Sequence, residues 1–327
     1  MCRYMKLNIL VTGGSGFIGS NLCARLLNDG HKVFCLDDNS TGDINNILHL
    51  LNDLNFKFID HDVVNSFQLD AITVAIDQIY HLACPASPPA YQANPIKTIQ
   101  TNVVGTMNVL EYASGKKARV LLSSTSEVYG DPKVSPQPEE YWGNVNPIGP
   151  RSCYDEGKRV AETLMIEYHK TRGVDVRIAR IFNTYGPNMN KDDGRIVSNF
   201  INQCIENKDI TVYGDGSQTR SLCYIDDMVE ALILLMNQTE TIGPINLGNP
   251  FELSVDEIAL FIKEVTGSSS KLVYNKLPQD DPMMRRPDIT KAKYFLGWEP
   301  QVHLNEGIVK TTDYFKKLSK KRSDNSI

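Results

Sequence analysis

Metal-ligand spacing is missing from this 327-residue chain. Its six histidines form no H-E-x-x-H pair and its seven cysteines no C-x-x-C pair, so no metal site is expected. The odd number and scattered positions of the cysteines also speak against a disulfide framework. They fit reduced thiols in the cytoplasm. No apolar run approaches the ~20 residues of a membrane helix. The opening Met1–Lys6 is too short and too polar to be a signal peptide. A net charge of −5 leaves no basic footprint for nucleic acid. Internal repeats and low-complexity segments are absent as well. The basic stretch Lys316–Arg322 reads as a solvated helix end.

What is present is an ordinary globular composition, 41% apolar and 22% charged, in a chain long enough for two lobes. The stretch Ser123–Lys158 organises it. The apolar run Val120-Leu-Leu122 reads as a buried strand that delivers Ser123-Ser-Thr-Ser-Glu127 at its end. Tyr154 and Lys158 come later, four residues apart, which on a helix places both on one face. A phenol has an unperturbed pKa of ~10 and needs help to act as a base at neutral pH. A neighbouring ammonium favours the phenolate, so the pair is suited to taking a proton from a substrate hydroxyl.

The chain's first strand, Leu7–Thr12, runs into Gly13-Gly-Ser-Gly16-Phe-Ile-Gly19 and then a helical pattern over 20–28. Strand, glycine turn and helix in that order is the setting of a dinucleotide fingerprint: small residues admit a pyrophosphate to the helix N-terminus. The second strand ends in Asp37-Asp38, eighteen residues after Gly19, where a carboxylate meets a ribose diol and disfavours a 2′-phosphate. NAD is therefore expected over NADP. A helix is read over 45–55, strands over 56–60 and 78–82, a long helix over 95–113, strands over 120–124 and 175–181, and between them a helix over 155–170. Asp62 and Val63 come after the third strand, where Asp62 is read equally as an adenine contact or a turn carboxylate. The proline-rich 83–89 loop is expected over the cofactor. The alternation implies an α/β fold, a Rossmann-type doubly wound parallel sheet with a smaller C-terminal substrate-binding lobe. Residues 1–182 form the NAD-binding domain, elements near 221–248 return to it, and 183–327 form the interleaved lobe.

Longer motifs narrow the reading. His81-Leu-Ala-Cys-Pro-Ala-Ser-Pro88, Thr125-Ser-Glu-Val-Tyr-Gly-Asp131, Arg180-Ile-Phe-Asn-Thr-Tyr-Gly-Pro187 and Tyr213-Gly-Asp-Gly-Ser-Gln-Thr-Arg220 resemble the UDP-glucuronic acid decarboxylase (UDP-xylose synthase) family. This is a branch of the extended short-chain dehydrogenase/reductases, and the similarity runs roughly from Leu7 to Tyr314. The resemblance implies NAD, a UDP-sugar substrate and a homodimer joined by the helices near 95–113 and 155–170. Apolar positions such as Val103, Met107, Leu110, Leu164 and Met165 exceed one buried face of those helices, the alternative being that they only cover the sheet. It implies Tyr154 as the base, Lys158 as its electrostatic partner, Thr125 bonding O4, Ser126 orienting the reacting carboxylate, and Glu127 handling protons or water near C5. Implied cofactor contacts are Gly13, Gly16, Phe17, Ile18, Gly19, Asp37, Asp38, Asn39, Thr41, Gly42, Asp62, Val63, Leu82, Cys84, Tyr154, Lys158 and Arg195. Implied substrate contacts are Gln100, Asn108, Asn183, Asn199, Tyr213, Gln218, Arg220 and Arg285.

Three positions depart from the family pattern: Gln100 stands where lysine is usual, Asn188 where arginine is usual, and Asn39-Ser40 where an aromatic is common. Two related activities are also considered. A 4,6-dehydratase carries an Asp-Glu pair where this chain has Ser126-Glu127, and a 4-epimerase usually lacks that glutamate. A non-catalytic NAD-binding sensor is the reading from another class, and the intact Tyr154, Lys158, Thr125 and Glu127 argue against it.

Overall fold

Seven short aliphatic runs become one parallel sheet in this computed structural model, which describes residues 6–67, 69, 72–277 and 284–324. The strands are β1 (Asn8–Thr12), β2 (Lys32–Asp37), β3 (Phe56–Asp60), β4 (Gln78–His81), β5 (Arg119–Thr125) and β6 (Val176–Ile181), joined late in the chain by β11 (Ile245–Leu247). Their order across the sheet is β11-β6-β5-β4-β1-β2-β3. Most side chains of the central strands are buried, as a sheet covered on both faces requires. Alternate residues serve opposite faces. Leu10, Phe34, Leu36, Ile79, Val120 and Leu122 join one core; Ile9, Val11, Val33, Cys35 and Leu121 join the other. The second core continues into Phe200, Ile201, Ile258 and Phe315, so sheet and C-terminal elements share packing. Strand order reverses between β1 and β4. Ligands of doubly wound sheets bind at the carboxyl ends of the strands at such a switch point.

The helices that matter to the site are α1 (Phe17–Asn28), α2 (Pro88–Ala93), α3 (Pro95–Gln100), α4 (Thr106–Lys116) and α5 (Ser152–Arg172). Two expectations change. The stretch 45–55 is not a helix but two single 3₁₀ turns, Ile44–Asn46 and Leu48–Leu50. Its Asn and Asp side chains bond the local backbone instead: Asp43 accepts from the Asn45 amide at 2.9 Å, and Asp53 from the Asn55 amide at 2.7 Å. The long helix begins at Pro95 as expected, but a π turn over Thr101–Gly105 interrupts it. There the Thr101 hydroxyl donates to Lys97 O at 2.9 Å and the Asn102 amide to Thr98 O at 3.1 Å, side-chain bonds that compete for the carbonyls of the preceding turn. Of the apolar residues expected to exceed one buried face, Leu110 and Met165 lie fully in the core and Met107 is exposed.

The C-terminal part carries three two-stranded pairs. β7 (Thr184–Tyr185) lies beside β10 (Cys223–Tyr224), β8 (Ile210–Tyr213) beside β13 (Leu272–Asn275), and β9 (Thr219–Ser221) beside β12 (Glu252–Ser254). Helix α6 (Ile196–Ile205) packs on α8 (Val255–Thr266), and α7 (Ile225–Asn237) packs on α1. Part of the 280–287 loop and the chain ends, 1–5 and 325–327, lie outside the described residues. Among the described residues no helix is long and apolar enough to cross a membrane, and no group of three or more His, Cys, Asp and Glu side chains could hold a metal ion.

Candidate active site

A cleft of 1590 Å³ runs along the carboxyl ends of the strands, from the glycine turn to the 213–220 segment and Arg285. At one end the turn after β1 is sterically committed to a bare backbone. Gly13 has φ 72°, and a Cβ on Gly19 would lie 2.1 Å from Gly13 O. Asp37, at the end of β2, accepts from the Ser15 amide and the Asn39 amide, each at 2.9 Å. Burial raises its pKa, and these bonds oppose the rise. The bare backbone at a helix N-terminus, with a carboxylate beside it, fits a dinucleotide carrying a free ribose diol.

In the middle of the cleft, β5 ends in Thr125, with Ser126 and Glu127 next in the chain. Helix α5 faces them, with Arg151 at its N-cap and Tyr154 and Lys158 in its first two turns. The Lys158 ammonium donates to Ser123 O at 2.8 Å and stands 5.9 Å from the Tyr154 ring centre. The pair is thus assembled as its spacing predicts. The expected lowering of the phenol pKa by Lys158 is not seen. Burial pushes Tyr154 well above its ordinary value, the Cys84 and Glu127 charges add to the rise, and a Thr125 hydrogen bond and Arg195 oppose it. Lys158 itself is pushed down by burial. The tyrosine also stacks on Tyr91, with centroids 5.0 Å apart and planes within 5°. The Tyr91 hydroxyl is buried without a partner.

The other end is a charge clamp. Glu127 Oε2 accepts from Arg151 Nη2 at 2.5 Å, and Glu127 Oε1 accepts from Arg285 Nη1 at 2.6 Å. Burial works to raise the Glu127 carboxyl, but the two guanidiniums outweigh it and hold the pKa at about 2. Glu127 is therefore an anion at neutral pH. Arg285 is 6% exposed, and its Nη2 is buried with no hydrogen-bond partner. An orphaned guanidinium nitrogen on a cleft wall is a donor suited to an anionic ligand group.

Most of the expected residues meet here. Gly13, Gly16, Phe17, Ile18, Gly19, Asp37, Asp38, Thr41, Gly42, Asp62, Val63, Leu82, Cys84 and Arg195 line the cleft on the cofactor side. Asn183, Asn199, Tyr213, Arg220 and Arg285 line it on the other. Asp62 is ion-paired with Lys97. Arg195 is ion-paired with Asp193.

Four expected contacts are not on the cleft wall. Asn39 accepts from the Ser15 hydroxyl at 2.9 Å and braces the glycine turn. Asn108 donates to the carbonyls of Val63, Val64 and Asn65 at 2.9, 3.2 and 3.1 Å, which ties the loop after β3 to α4. Gln218 is buried and donates to Tyr213 O. Gln100, the last residue of α3, is exposed. Asn188, the other departure in this region, has φ 72° and donates to the Ser20 hydroxyl at 3.0 Å.

Sequence reasoning misses Arg151, Tyr91 and Lys97. Arg151 sits three residues before Tyr154, and that spacing is its only local signal. Lys97 lines the cleft one turn before Gln100, but its charge is paired with Asp62 on the cofactor side.

The sequence matches the family described as GDP-mannose 4,6 dehydratase over residues 10–311. A UDP-glucuronic acid decarboxylase 1 of Xenopus tropicalis is 53% identical over 98% of the chain and 75% of the relative. One of Arabidopsis thaliana is 54% identical over 95% of the chain and 70% of the relative. Among solved structures, a UDP-glucuronic acid 4-epimerase from Bacillus cereus, bound to UDP-glucuronic acid and NAD, superimposes with a TM-score of 0.86. It is 31% identical over 95% of this chain and 100% of its own.

Proposed function

Because the chain belongs to the GDP-mannose 4,6-dehydratase family, and within it to the UDP-glucuronic acid decarboxylases, we propose that it removes the carboxyl carbon of UDP-glucuronate as carbon dioxide and leaves UDP-xylose. The observation that carries this reading is one continuous cleft that joins a dinucleotide cradle, a Tyr154–Lys158 pair and the Arg151–Glu127–Arg285 clamp. NAD is the cofactor, and when bound it supplies the acceptor that takes hydride from C4 and returns it.

The chain's own groups do the rest. Tyr154 takes the O4 proton, helped by the Thr125 hydroxyl. Lys158, anchored on Ser123 O, supplies positive charge beneath the phenol. The 4-ketone lies β to the carboxylate, so carbon dioxide leaves with its electrons delocalised onto O4. The buried Nη2 of Arg285 receives an anionic group of the nucleotide sugar. Ser126 orients the carboxylate. Glu127 stays ionised between its arginines and fixes their direction. Residues 183–327 form the substrate lobe and bring Asn183, Asn199, Tyr213 and Arg220 to the nucleotide.

Helices α3, α4 and α5 and the π turn between the first two expose Ile96, Ile99, Val104, Met107 and Val160, which supports a homodimer through this region. Six free thiols among the described residues support a reducing, cytoplasmic setting.

The Bacillus cereus neighbour supplies the second reading, 4-epimerisation of the same substrate. Incubation of the NAD-loaded protein with UDP-glucuronate separates the two: carbon dioxide with UDP-xylose is expected. UDP-galacturonate without carbon dioxide establishes the epimerase instead.

A further inference from the structure

Decarboxylation of UDP-glucuronate consumes a proton that the cleft does not itself hold. When the C5–C6 bond breaks, carbon dioxide leaves neutral and its former bonding pair spreads over C5, C4 and O4. One proton must then be added at C5. The proton that Tyr154 takes from O4 goes back to O4 when hydride returns to C4, so it is not available. Glu127 is held as an anion by two arginines and carries none at neutral pH.

A second cavity, of 230 Å³, shares Glu127 and Arg151 with the main cleft. It is also lined by Asp131, Asn144, Asn146 and Asp155. Asp131, Asn144 and Asn146 lie toward the surface, so this cavity reaches solvent. Asp155 is 5% exposed, and its Oδ1 has no hydrogen-bond partner. Neighbouring residues on a helix point about 100° apart at 3.6 residues per turn. Tyr154 therefore lines the main cleft while Asp155 lines the second cavity.

We propose that Asp155 holds the proton that the second cavity passes, through water, to C5 of the sugar after carbon dioxide has left; this rests on the decarboxylase reading. The Asp155 O–H bond breaks toward a water, that water gives a proton to C5, and the carboxylate regains one from solvent. One bulk proton is consumed per turnover, as the overall reaction requires. The cavity has room for several waters at ~30 Å³ each, and its asparagine amides offer them partners.

The surroundings are arranged for this. Burial raises the Asp155 carboxyl, and the Glu127 charge raises it further, with Glu156 adding to both. Arg151 and Arg285 oppose the rise, and the pKa settles at about 8. The N-terminus of α5 also favours the anion and is outweighed. Among the described residues, the Tyr91 phenol, pushed up by burial, and the Asp131 carboxylate also face this point.

Asp155→Asn in the NAD-loaded protein is the test. Expected are an unchanged KM for UDP-glucuronate and continued carbon dioxide release in the first turnover. UDP-xylose formation slows about 10²-fold, the scale of a lost proton donor, while NADH and the enolate of the 4-keto pentose, recovered as the ketone on acid quenching, accumulate. Asp155→Glu restores the rate. An Asn variant with wild-type kcat and pH profile overturns the proposal.

A readout independent of turnover keeps it testable even if no carbon dioxide is formed and the decarboxylase reading itself fails. The folded pKa of Asp155 is raised above the ordinary 3.8, so its proton stabilises the fold fully below about pH 4. That contribution is lost as pH rises to about 8. The Tm of the wild type relative to Asp155→Asn is therefore expected to fall across this window and level off above it. A Tm difference independent of pH shows that Asp155 holds no proton and overturns the assignment.

Discussion

The two ends of the cleft are built by different means. The cofactor end is backbone: a glycine turn in which a methyl on Gly19 has no room, leading from β1 into α1, with Asp37 bonded to the Ser15 and Asn39 amides. The substrate end is side-chain charge drawn from far apart, with Glu127 and Arg151 meeting Arg285 across 158 positions of sequence. The first is fixed by steric rules that hold wherever the motif occurs. The second exists only after folding, and its strength comes from burying three charges together. In the reaction proposed above, the cofactor end serves C4 oxidation, whereas the clamp decides the fate of the 4-keto sugar.

The largest expected effect lies at the junction of the two ends. Tyr154→Phe removes the proposed base while leaving both binding ends intact. The expected loss in kcat is ~10²–10⁴-fold, with NAD and UDP-glucuronate affinities near wild type by calorimetry. Unchanged turnover would break the division of labour, because proton transfer would then lie elsewhere.

A smaller effect separates the two ends. Arg285→Lys keeps the charge but loses the fork that bonds Glu127 and presents Nη2. UDP-glucuronate affinity is expected to fall about tenfold to hundredfold, the worth of one or two charged hydrogen bonds. NAD affinity should not move. Equal losses for both ligands would show that the ends are coupled rather than separate.

The smallest effect sharpens the comparison within the cofactor end. Asn108→Ala cuts three bonds to the loop after β3, so it is expected to cost about 1–2 kcal/mol of stability in denaturant titration. It should change UDP-glucuronate KM little, since Asn108 does not line the cleft. A KM effect larger than the stability effect would return it to the substrate site.

The same contrast explains what is legible in the sequence. The sheet, the glycine turn and Tyr154–Lys158 are local patterns, and periodicity and spacing are enough to place them. The two 3₁₀ turns over 44–50 look helical in sequence and are not, because Asn and Asp side chains capture backbone groups that a helix would have used. The π turn at Thr101–Gly105 leaves no mark in hydrophobic spacing. Arg151 and Tyr91 reach Glu127 and Tyr154 only through tertiary packing, and a buried unpartnered oxygen such as that of Asp155 is invisible without coordinates. Asn108 and Gln218 sit near functional residues in the chain but spend their amides on nearby carbonyls, a distinction that spacing does not carry.

The most direct test of transient C4 oxidation coupled to loss of the C5 carboxylate is a single turnover with UDP-glucuronate carrying deuterium at C4. One carbon dioxide per sugar, UDP-xylose that retains deuterium at C4, and no net NADH are the expected result. Loss of the deuterium, or a sugar product that keeps its carboxylate, would contradict it.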